Sequence, residues 1–295
     1  MLQGARAAAW AVADAVRARP VIKGAAERVH CAQYLADFRS GRVAAALPPG
    51  SGSGKPRPSA AWRRVGLPWS PLLVERTFAE AAGTLHTARL AMRHGVACST
   101  AGGTHHAHRE RGGGFCIVND LAICALELVA TGEAERVLVV DLDVHHGDGT
   151  AALLGGDAAL DVFAFSMHCQ DNWPLLGAKV SPGDLDVGLP SGSGDVEYLA
   201  ALRRHLPQAL AYARPDVVLY DAGVDVHEED KLGLLRISDE GLLQRERYVL
   251  ETCLKWGSPV AAFVGGGYHR NLDVLAARHC VLHGEAQRAW LRHCA

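Results

Sequence analysis

Five short runs constrain this chain more than any other feature. They are Val96–Ser99, Val137–Asp141, Val162–Ser166, Val217–Tyr220 and Val260–Val264, each nearly all apolar and led by Val. Such runs are short for helices and read as strands buried on both faces of a parallel sheet. Helical stretches lie between them, around Val118–Ala130, Val196–Ala213 and Asp239–Trp256. Ser70-Pro71 is a helix start, with Ser as cap and Pro in the first turn, and that helix runs to about His94. Strand–helix alternation of this kind predicts an α/β fold with a mostly parallel sheet. With 49% apolar and 21% charged residues, the chain has enough apolar surface to offset its conformational entropy, which excludes disorder as a description of the whole.

The first sixty residues are less regular. Ala5 to Arg19 reads as a helix halted by Pro20, Ala25 to Arg39 as a second helix, and Leu47–Ser59 as a Pro/Gly/Ser loop. We therefore divide the chain into a partly helical N-terminal segment, 1–60, and one α/β domain, 61–295. Met1 to Arg19 carries three Arg and one Asp, a composition shared by organelle transit peptides and amphipathic helices; we read it as a helix. No stretch reaches the roughly 18 apolar residues of a membrane span. Thirty Lys+Arg against 32 Asp+Glu exclude a dominant basic footprint, and with it direct sequence-specific nucleic-acid binding. The eight Cys form no Cys-x-x-Cys pair, which favours buried thiols in an intracellular protein, cytoplasmic or nuclear, over a thiolate zinc site.

In parallel sheets, functional residues gather beyond the carboxyl ends of the strands. The polar clusters of this chain fall there, and they hold several of its fifteen His. After the first strand comes Gly102-Gly103-Thr104-His105-His106-Ala107-His108, which taken alone would pass as a solvated loop. The second strand runs into Asp141-Leu142-Asp143-Val144-His145-His146-Gly147-Asp148. Asp143 and His145 are two residues apart and share a face in extended backbone, pairing a carboxylate with an imidazole as divalent-metal ligands do. Asp141 on that face suits a carboxylate that orients a histidine. Burying so many ionisable groups costs several kcal/mol without a compensating cation or ion pair. Tyr220-Asp221-Ala222-Gly223-Val224-Asp225 brings another carboxylate to the same edge. Asp143, His145 and Asp225 make a three-ligand set that leaves a position open, as in catalytic zinc sites. Gly265-Gly266-Gly267-Tyr268 offers close backbone approach and a hydroxyl donor. Arg111-Gly112-Gly113-Gly114-Phe115 offers either a channel wall or a plain turn followed by a core Phe.

The stretches GGTHHAH, GGGFCIVND, DLDVHHGDG, YDAGVD and GGGY occur in the order and approximate spacing of the zinc-dependent histone deacetylase family. DLDVGLPSGSGDVEYLAA (Asp184–Ala201) and EEDKLGL (Glu228–Leu234) look most like its class IV branch and related bacterial deacetylases. The resemblance covers about residues 60 to 285. It implies the arginase/deacetylase fold, a three-layer α/β/α sandwich around an eight-stranded, mostly parallel sheet. It implies one Zn2+ held by Asp143, His145 and Asp225, catalysis by His105, His106 and Tyr268, and Asp141 and Asp148 as partners of the histidines. Gly114, Phe115, Trp173, Gly266 and Gly267 would contact substrate. Asp141, Asp143, His145 and Ser166 would hold a structural K+, mostly through backbone carbonyls. The chain departs from the family at its N-terminus. Met1–Lys23 lacks the usual His-Arg-Phe-Pro-like loop, and Arg28-Val29-His30 with Tyr34 echoes a later family segment. Trp173-Pro174 stands where the opposite channel wall usually has Phe or Tyr, and His227 is a rim residue.

These residues predict a zinc-dependent amidohydrolase that removes acetyl or longer acyl groups from lysine side chains of histones or other proteins, with chromatin complexes as possible partners. Acetylpolyamines or other small amides are the alternative substrates. A non-catalytic scaffold on the same fold is the alternative from another class, although it has no chemical need for all these polar residues. Arginase-like chemistry would require further carboxylates for two manganese ions.

Overall fold

The computed structural model describes residues 19–44, 60–175 and 180–295. The helix read at Ala5–Arg19 and the loop at 47–59 lie almost wholly outside these residues. Six strands form one parallel sheet: β1 (Val96–Cys98), β2 (Val137–Asp141), β3 (Val162–Cys169), β4 (Leu185–Leu189), β5 (Val217–Asp221) and β6 (Val260–Phe263), in the order β1-β6-β5-β2-β3-β4. All five predicted strands are present within a few residues. The count of eight is corrected: six strands pair among the described residues, because the chain between them is spent on helices and long strand-end loops. β4 was not anticipated. It is an edge strand whose exposed and covered positions alternate, so it lacks the continuous apolar run of the others.

The helices are α1 (Arg19–Val29), α2 (Ala32–Ser40), α3 (Pro71–His94), α4 (Asp120–Ala130), α5 (Asp148–Leu154), α6 (Asp195–Ala213), α7 (Asp239–Trp256) and α8 (Leu272–His293). Alternate strand residues serve two cores. Val137, Val139, Val217, Leu219 and Phe263 face a layer that includes α3 and α4. Leu138, Val140, Val218, Tyr220 and Val260 face α6, α7 and α8. The result is the predicted three-layer sandwich. Ser70 caps α3 by accepting the Leu73 amide at 3.1 Å.

Pro20 sits in the first turn of α1, where its missing N–H is not needed. One N-terminal expectation changes. The stretch Ala25–Arg39 is two helices broken at His30-Cys31. The break places His30 as a bridge: its Nδ1 donates to the His108 carbonyl at 2.9 Å and its Nε2 accepts the Asn119 amide at 2.9 Å. Tyr34 donates to the Ile117 carbonyl at 2.7 Å. Helices α1 and α2 thus pin the loops that carry two of the polar clusters.

His30 also gives a pH test of this bridge. Burial lowers its pKa from 6.5 to about 4. Between those values the unfolded chain takes up a proton that the folded chain refuses, so stability is full above pH 6.5 and falls as pH descends toward 4. The loss from this residue is of order 3 kcal/mol. His30→Gln should be less stable than wild type near pH 7.5, with the gap narrowing by pH 4.5 in denaturant titrations. A gap independent of pH would refute the bridge as drawn.

Candidate active site

The sheet reverses its direction of winding at β2, which lies between β3 and β5. A crevice forms at such a reversal, beyond the carboxyl ends of the strands. Asp141 ends β2, in register with Asp221 on β5 and Ser166 on β3. The chain beyond β2 and β5 then delivers Asp143, His145 and Asp225 to one point. His145 Nδ1 lies 3.0 Å from Asp143 Oδ1 and 3.1 Å from Asp225 Oδ2. The second oxygens are anchored: Asp143 Oδ2 accepts the Gly266 amide at 3.0 Å, and Asp225 Oδ1 accepts the Val144 amide at 2.9 Å.

Behind both loops lies Arg245 of α7, fully buried. Its guanidinium donates to the carbonyls of Leu142, Ala222 and Gly223 at 3.3, 3.1 and 2.7 Å, and pairs with Glu246, which accepts from the Tyr220 hydroxyl at 2.7 Å. Arg245 clamps together the two segments that carry Asp143, His145 and Asp225. Nothing in the sequence pattern of α7 marked it, since the carbonyls it binds lie 22 to 103 residues away.

The three donor atoms suit a divalent cation. Their 3.0 and 3.1 Å spacings approach the roughly 3.3 Å between ligands in a tetrahedral site with bonds of 2.0–2.1 Å. Asp225 Oδ2 is buried with no hydrogen-bond partner among the described residues. Burial opposes a charged His145, but the adjacent Asp143 and Asp225 carboxylates raise its pKa to about 10, so a proton sits where a metal would replace it.

The tandem histidines stand beside this set. Asn119 caps α4 through the Ala122 amide at 2.9 Å and gives its side-chain N–H to the carbonyls of His105 and Ala107. Asp120 accepts the Thr104 amide at 2.7 Å and the Gly103 amide at 3.2 Å. His105 Nδ1 then lies 2.8 Å from Asp141, His106 Nδ1 lies 2.7 Å from Asp148, and the two Nε2 atoms are 2.9 Å apart. Against the cost of burial, Asp141, Asp143 and Asp221 hold His105 well above its ordinary pKa. Burial and the charge on His105 lower His106 to about 3. The pair therefore carries one positive charge, placed on His105.

A cavity of about 760 Å³ opens onto this floor. His106, His145 and Tyr268 line its depth, with Phe115 and Trp173 on its walls. The Trp173 ring meets His106 edge-on at 4.6 Å, and Phe115 lies 5.8 Å from Tyr268 between ring centres. Gly114 is required: a Cβ there would stand 2.5 Å from His106 and 2.8 Å from Trp173. Phe115 adopts φ 63°, a strained value for a bulky residue, held by the hydrogen bond its N–H donates to the Val65 carbonyl at 3.0 Å. Burial, followed by the Asp143 charge, raises the Tyr268 pKa, which keeps its hydroxyl a donor.

Some predicted residues sit elsewhere. Gly266 and Gly267 do not line the cavity. A Cβ on Gly266 would strike the Asp143 and Asp225 carboxylates at 2.5 and 2.6 Å, and one on Gly267 would meet Val224, Leu275 and His279. Ser166 stands beside Asp141, with its Oγ 2.9 Å from His168 Nδ1. His227 is buried rather than on the rim, with Nε2 3.1 Å from Asp239. Two participants carried no assigned role. His108 places Nε2 2.9 Å from the second oxygen of Asp148. Asp221 is fully buried with neither carboxylate oxygen hydrogen-bonded among the described residues, and burial with the nearby Asp141 charge raises its pKa well above the usual range. Their positions within GGTHHAH and YDAGVD were the available signal.

Residues 2–283 match the family described as the histone deacetylase domain. The chain belongs to the histone deacetylase family. This places it among hydrolases of amide bonds. This deacetylase-family chain is 52% identical over 227 residues to an uncharacterised protein of Picosynechococcus sp., covering 77% of this chain and 74% of that one. It is 33% identical to histone deacetylase 2 of Arabidopsis thaliana over 192 residues, 65% of this chain and 49% of that protein. It is 30% identical to the acetoin utilization protein AcuC of Staphylococcus aureus over 180 residues, 58% of this chain and 46% of that protein. The matches thus span about half the length of the last two. The crystal structure of the HDA15 HD domain shares the fold at TM-score 0.69 and 22% identity, covering 92% of this chain and 78% of that one. Acetylpolyamine aminohydrolase from Burkholderia pseudomallei does so at TM-score 0.70 and 20% identity, covering 90% and 83%. No helix among the described residues is long and apolar enough to cross a membrane.

Proposed function

We propose that this chain is a zinc-dependent deacylase of lysine side-chain amides. The observation that carries the reading is the convergence of Asp143, His145 and Asp225 at the foot of a channel that also bears His106 and Tyr268. Those three residues would hold Zn2+, which when bound polarises a carbonyl and acidifies water. Asp141, Asp143, His145 and Ser166 are the proposed K+ site, with Asp141 and Ser166 side by side across β2 and β3.

The chain's own groups divide the remaining work. The aromatic walls admit an extended side chain and exclude water around the amide. The Tyr268 hydroxyl donates a hydrogen bond to the amide oxygen as charge develops there. His106 is neutral and is the one of the two histidines that lines the cavity. Its Nδ1–H donates to Asp148, and its Nε2, 2.9 Å from His105 Nε2, takes the proton of the attacking water once that contact opens and later returns it to the departing lysine amine. His105, cationic against Asp141, stabilises negative charge at the reacting centre.

The test is zinc content together with turnover on acetyl-lysine peptides, myristoyl-lysine peptides and acetylpolyamines. Absence of both metal and turnover would support the scaffold reading instead. Tyr268→Phe should lower kcat by about 10²–10³ with little change in KM, because its donor acts mainly on the transition state. A variant with wild-type kcat would remove Tyr268 from the mechanism.

A further inference from the structure

The mouth of the channel has a charge asymmetry that the proposed chemistry does not use. Arg64 and Arg111 both line the cavity and are exposed. Among the described residues, neither guanidinium has an ion-pair partner, whereas Arg28, Arg42 and Arg89 each pair with a carboxylate. Both arginines stand on backbone fixed to the site. The Arg64 carbonyl accepts the Gly114 amide at 3.0 Å, and the Arg111 carbonyl accepts the His108 amide at 2.8 Å. The carboxylates that line the cavity are Asp148 and Asp171. Asp148 is engaged by His106 and His108, and Asp171 accepts the Ser191 amide at 2.8 Å. The remaining rim is apolar, with Leu232, Leu234 and Trp173 half-exposed.

An unpaired guanidinium carried on fixed backbone recognises a carboxylate, often through two hydrogen bonds, and repels an ammonium group. We propose that Arg64 and Arg111 make this mouth selective for acyl-lysine flanked by carboxylates, an acidic peptide segment, over cationic tails and polyamines. The proposal rests on the deacylase reading. The flanking residues of a substrate whose lysine fills the channel must pass this rim, within the roughly 8 Å over which charges act at physiological ionic strength. Because the contact is the same before and during reaction, it acts through KM and leaves kcat unchanged.

The experiment compares kcat/KM on acetyl-lysine peptides flanked by Glu, by Ala or by Lys, with free Nε-acetyl-lysine as a further arm. Exposed charge contacts of this kind predict about a fivefold preference for Glu over Lys flanks, carried by KM and reduced at high salt. The double variant R64E/R111E should reverse the order. Equal kcat/KM for the Glu and Lys peptides, or an order unchanged in the double variant, would overturn the proposal. So would a gain confined to free Nε-acetyl-lysine, since the carboxylate would then be the substrate's own. If no peptide were hydrolysed, the deacylase reading would fall. Fluorescence anisotropy with the same peptides would still report whether the rim prefers acidic flanks.

Discussion

Asp225→Asn should abolish metal retention and deacylation together while leaving the fold intact. Asp225 Oδ1 accepts the Val144 amide, and an amide oxygen can keep that bond. What the variant loses is the anionic Oδ2, the buried atom with no hydrogen-bond partner beside His145 Nδ1. Burial, and then the neighbouring Asp143 charge, raise the Asp225 pKa to about 7, so its ionised form is disfavoured until a cation arrives. A neutral amide should therefore cost the metal-free protein little. Wild type at a zinc concentration one hundred times Kd should gain about 2.7 kcal/mol of stability, and Asp225→Asn should gain none. Elemental analysis and thermal melts with and without zinc decide the matter. Stoichiometric zinc with unaltered turnover in this variant would refute the ligand assignment.

His106→Ala should lower kcat by about 10²–10⁴ while zinc content stays at the wild-type level. The separation of these two readouts distinguishes a proton carrier from a residue that merely supports the metal loops. His106 touches the substrate cavity, whereas His105 lies behind it against Asp141. Asp148→Asn offers a graded companion. It keeps the hydrogen-bonding shape but removes the charge that fixes the His106 Nδ1–H tautomer, and its effect on kcat should be smaller than that of His106→Ala. Equal kcat in His106→Ala and wild type would place the proton transfer elsewhere.

Much of this site was legible because its residues sit next to the strongest local signals in the chain. Val137–Val140 reads as a buried strand from its β-branched content alone, and Asp141, Asp143 and His145 follow within five residues. The same logic located Asp225 and Tyr268 just past β5 and β6. What stayed hidden depends on distance along the chain. Arg245 looks like an ordinary helix residue until the carbonyls of Leu142 and Gly223 arrive around it. His30 and Tyr34 gave only a faint echo, and their hydrogen bonds to residues 108, 117 and 119 depend on a helix break that periodicity did not show. β4 and α8 were missed for a related reason. One alternates at the sheet edge, and the other mixes Ala, His and Arg without a sharp apolar stripe. The glycines after β6 have neighbours that the sequence did not show: Gly266 packs against the Asp143 and Asp225 carboxylates, and Gly267 against Val224, Leu275 and His279.

The Arg245 clamp has a consequence for how such a molecule can diversify. The segments that carry Asp143, His145 and Asp225 hang from Arg245 of α7. The walls and mouth hang from α1, α2 and the turn at Val65. The two sets of supports meet at the contacts of Trp173 with His106 and His145 and around Tyr268. Substitutions at the entrance can retune which molecules enter without loosening the ligand set, and a lesion in α7 should disable the chemistry without changing the shape of the door.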